Sequence, residues 1–352
     1  MSRRLTLLAA VVAVLGLAAF VAWRVLAPES DYERAMATLP ASTLRATYTD
    51  WTAVRDEADG ADLDAGSAPE DIGDFLGRAF DRDLVSTSAI ADSTVAMGAS
   101  YGVSPLDVAW EAFGQDESGQ VVVLRVEDDV DLAGVEQKLR GLGYGAPADG
   151  IGSGGTWTGS ADLVASVDGG LTPVFQNAVV LPEERLLLFS DRAASVSGAA
   201  EVIAGDQPGL DEDGLAAIAG EPVTAVLWAS DFACDALSMS AADDEDQRVG
   251  DRLVDAAGGV SPVTGLVVAR QVDGLLRVGF EFEDDGRASA NLQPRVDLAG
   301  GEAPGQGGSF TDRFTVTSGE AAGDLVVLEL EPAGSDYAFS DLTSGPVLFA
   351  TC

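Results

Sequence analysis

The sequence predicts an α+β protein: an N-terminal transmembrane helix followed by two β-α-β-β-α-β-like (split βαβ) modules with antiparallel sheets. Three observations lead there. Leu5–Trp23 is a run of nineteen residues without a charge. Beyond it, short stretches of alternating apolar and polar residues are interleaved with stretches of helical period. Each half of that remainder reads in the same order of strand, helix, hairpin, helix, strand. Residues 1–28 are thus expected to be a cytoplasmic tip and anchor, 29–41 a stalk, 42–206 the first module and 207–352 the second.

The N-terminal run supplies the location. At 1.5 Å per residue it nearly matches a hydrocarbon core of about 30 Å. Arg3 and Arg4 precede it and hold that end in the cytoplasm, while Trp23 and Arg24 suit the far interface. The expected location is the cell membrane, single-pass, with the bulk of the chain outside. Secretion after signal cleavage is the alternative, disfavoured because Val25-Leu26-Ala27 is followed by Pro28.

In the first half, Leu44–Tyr48 alternates as a strand and ends near Asp50. The middle of the acidic, Gly-rich stretch that follows reads as an exposed loop. A helix starts near Pro69-Glu70, with Ile72, Phe75, Leu76, Ala79 and Phe80 on one face. Val108–Gly114 and Val121–Val126 form a hairpin around a turn at Gln115–Gly119. Leu132, Val135, Leu139 and Leu142 mark a helix capped by Asp131 and ended by Gly143. Leu186–Phe189 is continuously apolar, as a central strand is, and a helix leads from it toward a boundary near 206–214.

In the second half, a strand at Thr224–Ser230 precedes a helix at Asp246–Ala257. A hairpin follows, its second arm alternating Leu276, Val278, Phe280 and Phe282. A helix spans about 286–298, bent or begun at Pro294. Two closing strands lie in FTVTS and LVVLELE.

Charge and composition narrow the chemistry. Of the 352 residues, 58 are acidic against 20 basic, a formal net charge of −38, and there is no histidine. A surface this negative repels phosphate backbones, so nucleic acid is excluded as a partner. Gly98-Ala99-Ser100-Tyr101-Gly102 spells a nucleophile elbow, but no imidazole exists to take the serine proton. Gly150–Gly155 spells GxGxxG without the strand before it or the helix after it that a dinucleotide site needs. Zinc lacks ligands. Acidic clusters at 56–64, 211–213 and 243–246 depart from the calcium-loop pattern. Trp110-Glu111 and Trp228 pair aromatics with acid as sugar sites do, but sit inside strands. No cofactor is expected.

Only two cysteines are present, Cys234 and Cys352. Outside the cytoplasm one intramolecular pairing is open to them, and it closes a loop of 118 residues. Such a disulfide stabilises by about 4–5 kcal/mol in the chain-entropy model.

The stretches LPASTLRATYTDW, SPLDVAWEAFGQ, FQNAVVLPEERLLLFSD and GPVLFATC resemble a group of uncharacterised exported or membrane-anchored proteins of high-GC actinobacteria. The resemblance implies location and no activity. The expectation is therefore a membrane-anchored extracytoplasmic binding or structural module of the cell envelope, without catalysis. Its partners would be the membrane, through residues 5–27, and an envelope protein or the cell wall. Two alternatives stand beside it: binding of calcium or a small cationic ligand, and glycan hydrolysis by carboxylates.

Overall fold

Residues 29–64, 66–334 and 337–352 are described by a computed structural model, and their strands join edge to edge into one sheet. The first half runs α1 (Asp31–Met36), β1 (Arg45–Asp50), α2 (Trp51–Glu57), α3 (Pro69–Asp81), α4 (Thr94–Tyr101), β2 (Val108–Gln115) and β3 (Gln120–Val126). It continues with α5 (Leu132–Leu142), β4 (Trp157–Thr158), α6 (Ala161–Val167), β5 (Asn177–Leu181), β6 (Leu186–Ser190) and α7 (Ala193–Ile203). The second half runs α8 (Asp213–Ala219), β7 (Pro222–Ala229), α9 (Phe232–Ala236), α10 (Asp244–Ala257), β8 (Gly265–Gln271) and β9 (Leu276–Glu281). It closes with α11 (Asp285–Ala299), β10 (Phe314–Ala322), β11 (Leu325–Pro332) and α12 (Ala338–Thr343).

Local chemistry sets many of these boundaries. Asp131 accepts the Gly134 amide at the start of α5, and Gly143 closes that helix at φ +100°. Asp243 accepts the amides of Glu245 and Asp246 at the start of α10, so that acidic run is a helix beginning. Pro294 lies within α11 rather than at its start. Tertiary packing overrides the proline there, because its neighbour Arg295 is wholly buried against the sheet.

The strand order is β10-β11-β9-β8-β7-β1-β2-β3-β6-β5-β4, and every pairing is antiparallel. This corrects the expected pair of split βαβ modules. A split βαβ unit lays its first strand beside the second arm of its hairpin. Here the first strand of each half pairs with the first arm instead, β1 with β2 and β7 with β8. The halves then meet where β1 pairs with β7, from Arg45 opposite Trp228 to Thr49 opposite Thr224. The sheet edge of each half is satisfied by the other half, which removes two edges that would invite aggregation.

Alternation along the strands divides the core by face. One face carries two apolar clusters, under α2–α6 in the first half and under α9–α12 in the second. The opposite face is covered by α1, α7 and α8, packed on Ala46, Tyr48, Ala112, Leu227 and Val267.

The membrane expectation is corrected as well. Leu5–Trp23 lies outside the described residues, and among the described residues no helix is long and apolar enough to cross a membrane. The longest, α11, has 15 residues, about 22 Å against a core of about 30 Å. The single-pass topology, the membrane as partner and the cell-membrane location are therefore not supported. What stands is an α+β domain on an open antiparallel sheet.

A candidate binding cleft between the two halves

Where the halves meet on the more heavily covered face, a cavity of about 420 Å³ opens. Its walls are the end of α3 with Asp81–Asp83, the β8–β9 turn at Asp273–Leu275, the end of β11 at Glu331 and Pro332, and the start of α12. The cavity exists because three contacts bridge the halves around it.

The first bridge is Asp83. Its backbone is left-handed, at φ +57°, a conformation aspartate tolerates better than most residues. That turn aims its carboxylate at α12, where it accepts the Ser340 amide at 2.8 Å and the Ser340 hydroxyl, besides the Ser86 hydroxyl at 3.1 Å. The second bridge is a fork: Arg270 meets both Glu57 oxygens, at 3.3 and 3.1 Å. Both side chains are largely buried, which raises the worth of the pair above that of a surface ion pair. The third is aromatic, Phe80 against Tyr337 with ring centroids 5.8 Å apart.

Asp83→Ala is expected to cost about 2–3 kcal/mol. It leaves the Ser340 amide without its acceptor and puts a Cβ-bearing residue with no polar side chain in the left-handed region. A lowered urea midpoint with an unchanged m-value is the expected reading.

After these bridges are made, the cavity keeps a particular chemistry. Asp81, Asp273 and Glu331 form no ion pair among the described residues, whereas Arg270 is taken and Arg82 reaches Asp59 only at 3.5 Å. Next in the chain to the lining residues Asp81, Ala338 and Asp273, Phe80 is 56% exposed, Tyr337 40% and Val272 64%. These are three of the five large apolar side chains left exposed among the described residues.

The sequence-marked candidates lie elsewhere. Cys234, in α9, and Cys352 are joined by a disulfide with Cα atoms 5.5 Å apart. Ser100 sits inside α4, with Gly102 ending that helix at φ +75°, so the elbow spelling has no strand-to-helix turn. The GxGxxG stretch is a loop tied down by buried Glu136, whose carboxylate accepts the Gly152 amide at 2.9 Å.

Trp110, Glu111 and Trp228 are all buried. Trp110 and Glu111 point to opposite faces of β2, because the pleat alternates. The glycan-hydrolase alternative loses its groove with them. Among the described residues no group of three or more acidic or cysteine side chains could hold a metal, which overturns the calcium alternative. Of the acids in the expected clusters, Glu57 meets Arg270, Asp59 meets Arg82 and Asp243 caps the start of α10.

Sequence reasoning missed the cleft because its walls come from segments as much as 257 residues apart. The one local signal was Phe80, an aromatic at the end of an amphipathic stripe.

No family profile matches the chain, and no curated protein matches its sequence. Among solved structures, crystal form I of TP0453 aligns over 90% of this chain and 97% of its own, with a TM-score of 0.38 and 8% identity. So loose a likeness bears on neither fold nor function.

Proposed function

We propose that the protein is a recognition module that takes a polypeptide segment into the cleft between its halves. The segment carries an aromatic or aliphatic side chain beside a lysine or arginine. The observation behind this reading is the coincidence of exposed Phe80, Tyr337 and Val272 with a cavity whose unpaired charges are carboxylates. Exposed apolar groups rimmed by charge favour a partner that buries the one and neutralises the other. The net charge of −38 draws a basic partner in from a distance. Asp83 and the Arg270–Glu57 fork hold the walls in place beforehand, so little ordering is needed on binding. The reading requires neither membrane nor metal, and with no histidine in the chain it asks for no acid–base chemistry.

Two labelled peptides of equal length test it by fluorescence anisotropy. One carries a tryptophan flanked by lysines, and in the other glutamates replace the lysines. Only the first is expected to bind, more weakly as salt is added. The double variant Phe80→Ser/Tyr337→Ser is expected to lose at least about tenfold in affinity, as anchors at the centre of an interface do. Equal binding of both peptides, or full binding by the variant, refutes the reading.

A further inference from the structure

On the opposite face of the sheet, α8 lies across β8 and β9. Leu215, Ala216 and Ala219 are buried beneath it. Their close approach depends on two glycines of the sheet. A methyl group at Gly265 would stand 2.7 Å from Leu215 Cδ1, and one at Gly279 would stand 2.9 Å from Ile218 Cδ1. A helix of seven residues has almost no stability of its own, so this docking is what keeps it formed.

The start of α8 works against that docking. Glu212, at its N-cap, makes no side-chain capping bond. Its carboxylate instead shares one small gap with a second one. The same methyl group at Gly265 would stand 3.4 Å from Glu212 Oε2 and 3.5 Å from Glu281 Oε2. Thr264 donates to Glu281 at 3.0 Å, and Asp211 adds another negative charge. From α1, Tyr32 lies near enough to feel the charge of Glu212, and its buried hydroxyl has no partner among the described residues. Arg277 is at the far end of α8, beside Gly220, and pairs with Glu329 of β11. Neither Glu212 nor Glu281 has an ion pair among the described residues. Burial first, then Glu281 and Asp211, push Glu212 up to about 7.

We propose that α8 is a pH-operated latch, closed on β8 and β9 when Glu212 is protonated and released when Glu212 carries its charge in the gap beside the Glu281 carboxylate. The closed form holds the Glu212 proton more tightly than the open form, where the group returns to its ordinary value of 4.5. Opening therefore increases as the pH rises from 4.5 to about 7, and levels off above that. Release uncovers the two glycine sites and the apolar side chains around them.

Hydrogen exchange of residues 210–220 in the whole protein, corrected for the intrinsic rate, measures the opening constant. It is expected to rise about tenfold or more between pH 5 and pH 7 and to be flat above about pH 7.5. Glu212→Gln is expected to hold the low-pH value at every pH, and Glu281→Gln to shrink the rise. Helix α10 serves as the reference and should not respond. A wild-type segment whose opening ignores pH, or a Glu212→Gln protein that keeps the wild-type rise, overturns the latch.

Discussion

Replacing Glu111 with leucine is expected to destabilise the fold by about 3–5 kcal/mol, the largest single loss for a carboxylate in this chain. Glu111 is 1% exposed and forms no ion pair among the described residues. It accepts three bonds: from Trp51 Nε1 at 3.0 Å, the Ser88 hydroxyl at 2.7 Å and the Ala89 amide at 2.6 Å. These donors belong to the start of α2 and to the segment that crosses beneath the joint between β1 and β7. In the same segment, Thr87 meets Thr224 of β7 at 2.9 Å. Leucine would leave the buried Trp51 donor and the half-buried donors of Ser88 and Ala89 without an acceptor, each worth about 1–3 kcal/mol, against a modest apolar gain. Glu111→Gln keeps one acceptor but turns an amide toward donors, so an intermediate loss is expected.

The pH dependence carries a sign. Burial outweighs the three donated bonds and raises the carboxyl above its ordinary value of 4.5. The folded state thus binds the proton more tightly than the unfolded state. This group's contribution to stability falls as the pH rises from 4.5 through the folded value, and it is flat above that. In Glu111→Gln that part of the profile should disappear. A wild-type slope retained in the glutamine variant would assign the titration to another group.

Breaking the clasp at residues 347–352 is the second large effect. Cys352→Ser is expected to cost about 4–5 kcal/mol, from reopening a loop of 118 residues in the unfolded chain. The loss appears in denaturant midpoints, with faster exchange of the 347–352 amides. The disulfide does not act alone. Arg295 is wholly buried and donates to the carbonyls of Phe349 at 2.6 Å, Thr351 at 3.2 Å and Ser261 at 2.8 Å. Its guanidinium also lies 4.7 Å from the Phe280 ring centroid. Burial without a carboxylate pushes it down to about 9. Arg295→Met orphans those carbonyls. Because arginine and disulfide hold the same six residues, their losses should fall short of additive in a double-mutant cycle. Full additivity would show that the two act on separate units.

Much of the secondary structure was legible in the residues. The helix α5 showed its stripe, its aspartate cap and its closing glycine, and the hairpins β2–β3 and β8–β9 showed alternation around turn residues. The misses are instructive. Trp51–Glu57 forms α2 although its acidic, Gly-rich sequel suggests a loop. Its helix is stabilised by burying Trp51, Val54 and the stem of Arg55 rather than by its own pattern. The helix α8 was hidden in the boundary region for the same reason. The candidate cleft left almost no trace, since Asp83, Arg270 and Ser340 each look like ordinary surface residues in sequence.

By itself, the sequence determined the alternation that assigns each strand residue to a face and the capped helices. It also determined the absence of imidazole and a formal net charge of −38. These follow from periodicity, cap chemistry and charge, which act over a few residues or over the whole chain. Only the tertiary structure decided that two halves of like element order share one sheet through β1 and β7, and that a cleft opens where they meet. Edge pairing depends on backbone groups that every residue carries alike, so no side-chain pattern announces which edges will join.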